Sequence, residues 1–288
     1  MGVLRLRSST WAFFVSVFIA TLLVSCRAGV GFLYNRADWF VERRANEILE
    51  LRGSRKAQLH QEVQAFFKEH KKSEIPLIVY YLAATADLIA RAEPTAAKIS
   101  GSMEDIQSLM RRTLALSIPG TVRLLTSLDP IEIQTFEKNM KAKNEIQLKE
   151  RQELSETDWR QERRKRFVRT FKFLAGSMTE TQSKIIDNWT NQSAFQQRSW
   201  WLLERQEQQS KLVQLLLKGA PKEDLEKFFN DWVFKPETFR TPGNTAHWQQ
   251  EQSRFQSTIL DLSLSLGPKQ KSHFVQTLKE LANALRDS

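Results

Sequence analysis

A thiol is the strongest nucleophile among side chains at neutral pH, and this sequence holds one, Cys26. With no second cysteine, an intramolecular disulfide and every metal site built on two thiolates are excluded. His60, His70, His247 and His273 are scattered, and none lies four residues from another, so no helical histidine pair offers itself to a metal ion. Neither a metal nor a cofactor is expected. The serine-hydrolase elbow, the His-Glu-x-x-His zinc helix and the glycine-rich phosphate loop are all missing. Carboxylate pairs such as Asp224/Glu226 and Glu204/Glu207 lie in charged helical stretches with nothing to set one member apart. His70, beside Lys71 and Lys72, reads as a helix-end residue rather than a base. No catalytic residue is assigned. The chemistry left is a covalent group on Cys26.

The element that would position Cys26 is the segment before it. Residues 1–9 carry Arg5 and Arg7, and residues 11–25, WAFFVSVFIATLLVS, hold no charge. A basic start followed by a short apolar run is the pattern of a secretory signal, and fifteen residues are few for a bilayer span, which needs roughly 20. A single transmembrane helix is the alternative, and it would have to draw Arg27 into the membrane. The ending favours the signal. Leu23, Val24, Ser25 and Cys26 resemble the four positions of the bacterial lipobox, and that resemblance implies cleavage before Cys26 and acylation of its thiol. Several acyl chains hold a soluble domain where one holds it only marginally. Arg27, in place of an aspartate, implies sorting to the outer membrane, with the inner membrane as the alternative. The expected division is a signal peptide at 1–25, a short lipidated tether at 26–33 and a domain at 34–288.

That domain has the means to build a core. The 288 residues are 41% apolar, with 18 Phe and 8 Trp. From residue 34 onward the apolar spacing is helical. In LHQEVQAFFKEH, Leu59, Val63, Phe66, Phe67 and His70 share one stripe, and YYLAATADLIARA (80–92) and KLVQLLLKG (211–219) behave alike. Helix stops are expected near Gly53, Pro76, Pro94, Gly101 and the Pro119-Gly120 pair. Residues 231–248, with Pro236, Pro242 and Gly243, read as the longest connection. The domain is expected to be undivided or to split near 219–221 or 235–245. Three corners, LDPIE (128–132), MTETQ (178–182) and LGPKQ (266–270), each follow an apolar helix end. Asp129 and Thr179 are good caps, Pro130 and Pro268 suit a first turn, and Glu132, Gln182 and Gln270 stand three residues after the cap. The pattern predicts an all-α fold of stacked antiparallel helical hairpins, an irregular multi-helix array.

Charge narrows the partners. The formal net charge is +10, and loss of Arg5 and Arg7 with the leader would leave about +8. The densest basic stretch contains Arg160, Arg163, Arg164, Lys165, Arg166 and Arg169, with Phe167, Phe171 and Leu174 between them. It reads either as a solvated helix face or as a docking surface for phospholipid headgroups or an acidic envelope protein or polymer. Nucleic acid is not expected to meet an exported chain.

A further resemblance is densest over roughly residues 22–80 and runs diffusely to the C-terminus. The chain is similar to a family of uncharacterised, entirely helical proteobacterial lipoproteins whose mature start reads Tyr-Asn-x-x-Asp-Trp, here Tyr34, Asn35, Asp38 and Trp39. Their His-Arg-x-x-Glu-Leu-Pro segment corresponds to His70, Lys71, Glu74, Ile75 and Pro76. Their Leu-Thr-x-x-Gln corner survives as Leu51 and Gln58, with Gly53 and Ser54 where Thr or Pro would stand. The resemblance implies a compartment and a fold but no activity. By position on a first helix, Tyr34 should hydrogen-bond a facing helix and Trp39 should fill the core, or the block should form a recognition patch near the lipid. The functional expectation is a lipid-anchored periplasmic protein that binds or scaffolds. An envelope chaperone and an envelope-polymer hydrolase are the alternatives.

Overall fold

The computed structural model describes residues 27–91, 94–193, 195 and 200–288. These form twelve α-helices, one 3-10 turn and no strand. The helices are α1 (Arg27–Tyr34), α2 (Ala37–Leu49), α3 (Gly53–Ser73), α4 (Ile75–Arg91), α5 (Ala96–Leu125) and α6 (Pro130–Glu153). They continue as α7 (Glu156–Ala175), α8 (Glu180–Gln192), α9 (Trp200–Leu217), α10 (Lys222–Phe234), α11 (Pro242–Leu264) and α12 (Pro268–Arg286). Antiparallel hairpins stack in an irregular array, as the apolar periodicity predicts. Thr95, Ser155 and Thr241 cap α5, α7 and α11 by accepting a first-turn N–H on their hydroxyls.

The corners named from sequence start helices, and they meet in pairs. The Thr179 N–H donates to Gln182 Oε1 at 2.9 Å, and the Gly267 N–H donates to Gln270 Oε1 at 3.0 Å. Thr179 completes its capping box through its hydroxyl, which Gly267 lacks. The two glutamines then face each other across the molecule. Each Nε2 donates to the other's Oε1 at 2.9 Å, and each also donates to the backbone two residues before the opposite cap, Gln182 to Ser265 O and Gln270 to Ser177 O. Both amides are buried, and all of their donors and acceptors are used. The other pair repeats this plan with charges. Arg55 and Glu132, each three residues after its cap position, form an ion pair at 3.5 Å, while Glu132 also accepts from the Asp129 N–H at 2.9 Å. Gln58 reinforces the junction, accepting from the Ser127 hydroxyl and donating to Arg123 O.

These corner pairs organise two copies of one four-helix unit. In the first, α2 packs on α3 and α6, and α3 on α5. In the second, α7 packs on α8 and α12, and α8 on α11. Each unit's leading helix ends on a left-handed residue, Glu50 at φ 52 or Gly176 at φ 78. At Gly176 a side chain would also press on His273, 3.1 Å from an added Cβ. The segments inserted between second and third helices cross over. Helix α4 from the first unit runs along α12 of the second, and α9 and α10 from the second cover α6 and α5 of the first. One core cluster therefore joins Leu59, Val122 and Phe136 to Leu212, Leu225 and Phe228. A second joins Val30, Ile78 and Leu82 to Leu281 and Leu285.

Several expectations are corrected. Leu216 and Leu225, on either side of residues 219–221, share one core cluster. The 231–248 connection shrinks to residues 235–241 around the 3-10 turn Pro236–Phe239, and Phe239 packs on that same core. Helix α5 runs straight through Gly101 and Pro119-Gly120. Buried Ile118, Val122 and Leu125 hold it on the core across the missing proline N–H. Gly120 serves a close approach instead of a turn, since a Cβ there would meet the Glu62 carboxylate at 2.9 Å. Residues 27–34 form a helix with Val30 buried. Leu23, Val24, Ser25 and Cys26 lie outside the described residues.

Candidate functional site

The two blocks that carry the family resemblance converge in space. Tyr34, closing α1, is hydrogen-bonded through its hydroxyl to His70 Nδ1 at 2.8 Å, so the facing-helix bond expected of it forms. Phe66 stacks on the imidazole and Phe67 meets the phenol edge-on. Burial drives both groups toward their neutral forms, His70 down to about 4 and Tyr34 up to about 12. The nearby Glu74 carboxylate opposes this at His70 but does not overcome it. Glu74 is itself buried, 1% exposed, and Arg112 from α5 closes on it with two bonds of 3.1 and 2.9 Å. Neutral clasp and ion pair together tie α1 and α5 to the end of α3.

The rest of the Tyr-Asn-x-x-Asp-Trp block divides between structure and surface. Asn35 is exposed. Asp38 accepts from the Trp39 N–H at 2.7 Å and from Gln64 Nε2 of α3 at 2.8 Å. Trp39 does not fill the core; it is 52% exposed. The inward stripe of α2 is Ala37, Val41, Ala45 and Leu49, and a residue two positions from Ala37 falls on the opposite face.

The basic cluster is largely consumed inside the protein. Arg160 Nη1 donates to Thr190 O and Asn191 O at the end of α8, at 2.6 and 2.7 Å. There its charge complements the carbonyl end of that helix. Arg163 lies over the Trp189 ring at 4.1 Å and donates to Glu251 of α11, and burial lowers its pKa. Arg164 pairs with Asp187 and donates to Ser183 Oγ. Three of the six basic residues proposed as a docking surface thus fasten α7 to α8 and α11. Lys165 pairs with Glu162 at the surface, and Arg166 and Arg169 are exposed.

Sequence reasoning missed Arg205. It stands in the apolar stripe of Leu202, Leu212, Val213 and Leu216, and a cation inside such a stripe was the available signal. It is buried on the Trp201 ring and donates to Asn144 Oδ1 at 2.6 Å and Gln147 Oε1 at 2.8 Å, both neutral acceptors. Burial, with Arg151 and Arg44 nearby, brings it down to about 10. Asn144 passes the contact on to Gln209, beside a groove of about 210 Å³ between α6 and α9 that Glu137, Lys141 and Glu145 also line.

Among the described residues no three His, Cys, Asp or Glu side chains are grouped to hold a metal ion, and no single helix is long and apolar enough to cross a membrane. No curated protein and no solved structure matches the chain. A family of unknown function, DUF6279, matches residues 47–244, which take in α3 to α10, three of the four corners and all three inserted helices, α4, α9 and α10. By that match, over most of its length, the chain belongs to the family DUF6279.

Proposed function

We propose that this protein is a lipid-anchored, periplasm-facing envelope protein that binds or scaffolds and performs no chemistry of its own. The observation that carries the reading is Leu23-Val24-Ser25-Cys26 at the end of an uncharged apolar run behind Arg5 and Arg7. The fold supports it, since α1, described from Arg27 onward, buries Val30 in one core cluster with α4 and α12. An anchor at Cys26 would hold the body close to the bilayer rather than on a long leash. Arg27 favours the outer membrane over the inner. The bacterial lipoprotein character of the resemblance belongs to this proposal. The chaperone alternative draws less support, because Arg160, Arg163 and Arg164 are occupied by partners within the chain.

Metabolic labelling with a radioactive fatty acid tests the anchor: wild type incorporates label and Cys26→Ser does not. An unlabelled wild type would contradict it. A photo-crosslinker at Lys141, beside the α6–α9 groove, tests the role. A scaffold yields one stoichiometric adduct, whereas a ladder of many clients would transfer the reading to a chaperone.

A further inference from the structure

Three large aromatic side chains stand exposed on the first two helices: Phe32 at 58%, Trp39 at 52% and Phe40 at 44%. They are not scattered. They fall in two contact groups on either side of the turn at residues 35–36, Phe32 with Arg36 and Trp39 with Phe40 and Arg43, the latter at helical spacing on α2. The Arg36 guanidinium lies 4.9 Å from the Phe32 ring, Trp39 meets Phe40 edge-on at 4.8 Å, and Arg43 lies 5.4 Å from the Trp39 ring. The acids of α2 are turned elsewhere. Asp38 is bonded to Gln64, Glu42 to His60, and Glu47 to Arg44 and Lys143, with only a 3.7 Å approach to Arg43. One side of α1 and α2 is built into the core, and the other is aromatic and cationic.

We propose that Phe32, Arg36, Trp39, Phe40 and Arg43 form a membrane-docking face that seats in the headgroup layer of an anionic phospholipid bilayer. Amphipathic rings lodge at the headgroup level, and guanidinium groups pair there with lipid phosphates. The location fits that occupant. At 1.5 Å per helical residue, Phe32 stands only about 8 Å along α1 from Arg27, the residue that follows Cys26. A chain attached to the bilayer at that point brings the stripe to the lipid surface. The location rests on the proposed attachment at Cys26, and the chemistry rests on the stripe itself. Two arginines and three rings add a second attachment to the first.

Phe32→Cys, Phe40→Cys and Ile131→Cys, each in the full chain, supply labelling sites; Ile131 is exposed on α6. Each variant takes an environment-sensitive fluorophore and is reconstituted in vesicles of phosphatidylcholine and phosphatidylglycerol at about 3:1, where anionic lipid attracts basic segments. Quenching by spin-labelled lipid should be at least about threefold stronger at 32 and 40 than at 131, and Arg36→Glu with Arg43→Glu should remove most of that difference. Equal quenching at all three sites, or a difference indifferent to the double substitution, would overturn the docking face. The mass of the same samples reports the anchor separately. One fluorophore per chain means a blocked Cys26, and two mean a free one. A failed anchor with strong quenching at 32 and 40 leaves the docking face standing, and an acylated Cys26 with equal quenching removes the docking face alone.

Discussion

At the scale of single residues, the informative side chains are polar groups that the fold has buried. His70 shows what this does to titration. Its folded pKa of about 4 lies below the 6.5 of an unhindered imidazole, so between those values the unfolded chain binds more protons than the native one. Stability should therefore rise with pH across that window, by about 3 kcal/mol in all. Urea midpoints taken from pH 4 to pH 7 check this. A His70→Gln variant should flatten the slope, and an unchanged slope would place the titrating group elsewhere. Arg112 offers a second test. Its removal leaves the Glu74 carboxylate buried without its counter-charge, and Arg112→Ala should cost about 2–3 kcal/mol in urea unfolding. A surface salt bridge would lose under 1 kcal/mol.

At the scale of elements, the corners are where local chemistry and tertiary contact coincide. Gln182 and Gln270 each cap their own helix and complete the other's amide. Gln182→Ala should cost about 2–4 kcal/mol, because it strands buried polar atoms on Gln270 and Ser265. Gln182→Ala with Gln270→Ala should cost clearly less than the sum of the singles, by 1 kcal/mol or more. Additivity in that double-mutant cycle would mean the amides do not act as a pair. These corners were legible in sequence because a cap, a proline at the first turn and a Gln or Glu three residues on are local signals. Their pairing was not, since Gln182 and Gln270 are far apart in the chain. The same limit explains the basic cluster: Glu251 and Asp187, which take up Arg163 and Arg164, come from other helices. Trp39 was misplaced for another reason. Its neighbours Phe40 and Val41 are also apolar, and only the register of Ala37, Val41 and Ala45 against α3 and α6 decides which of them turns inward.

For the whole molecule, the duplicated four-helix unit and its crossed insertions make the chain one cooperative body. Helix α4 leaves its own unit to cover α12, and α9 and α10 return the contact to α5 and α6. Neither unit keeps its apolar faces covered when the other is removed. Unfolding followed by far-UV circular dichroism and by tryptophan fluorescence should give coincident curves, and two separated transitions would contradict the interlocking. The sequence alone supports the helical class and the corner positions. The duplication is hidden from it, because the paired positions use Gln with Gln in one unit and Arg with Glu in the other.

The anchor at Cys26 is the central functional claim, and the intact mass of membrane-extracted protein tests it most directly. The account predicts loss of residues 1–25 and added acyl mass on a chain beginning at Cys26, both abolished in Cys26→Ser. A full-length, unacylated chain in both samples would contradict it and would make residues 11–25 a membrane-spanning segment instead.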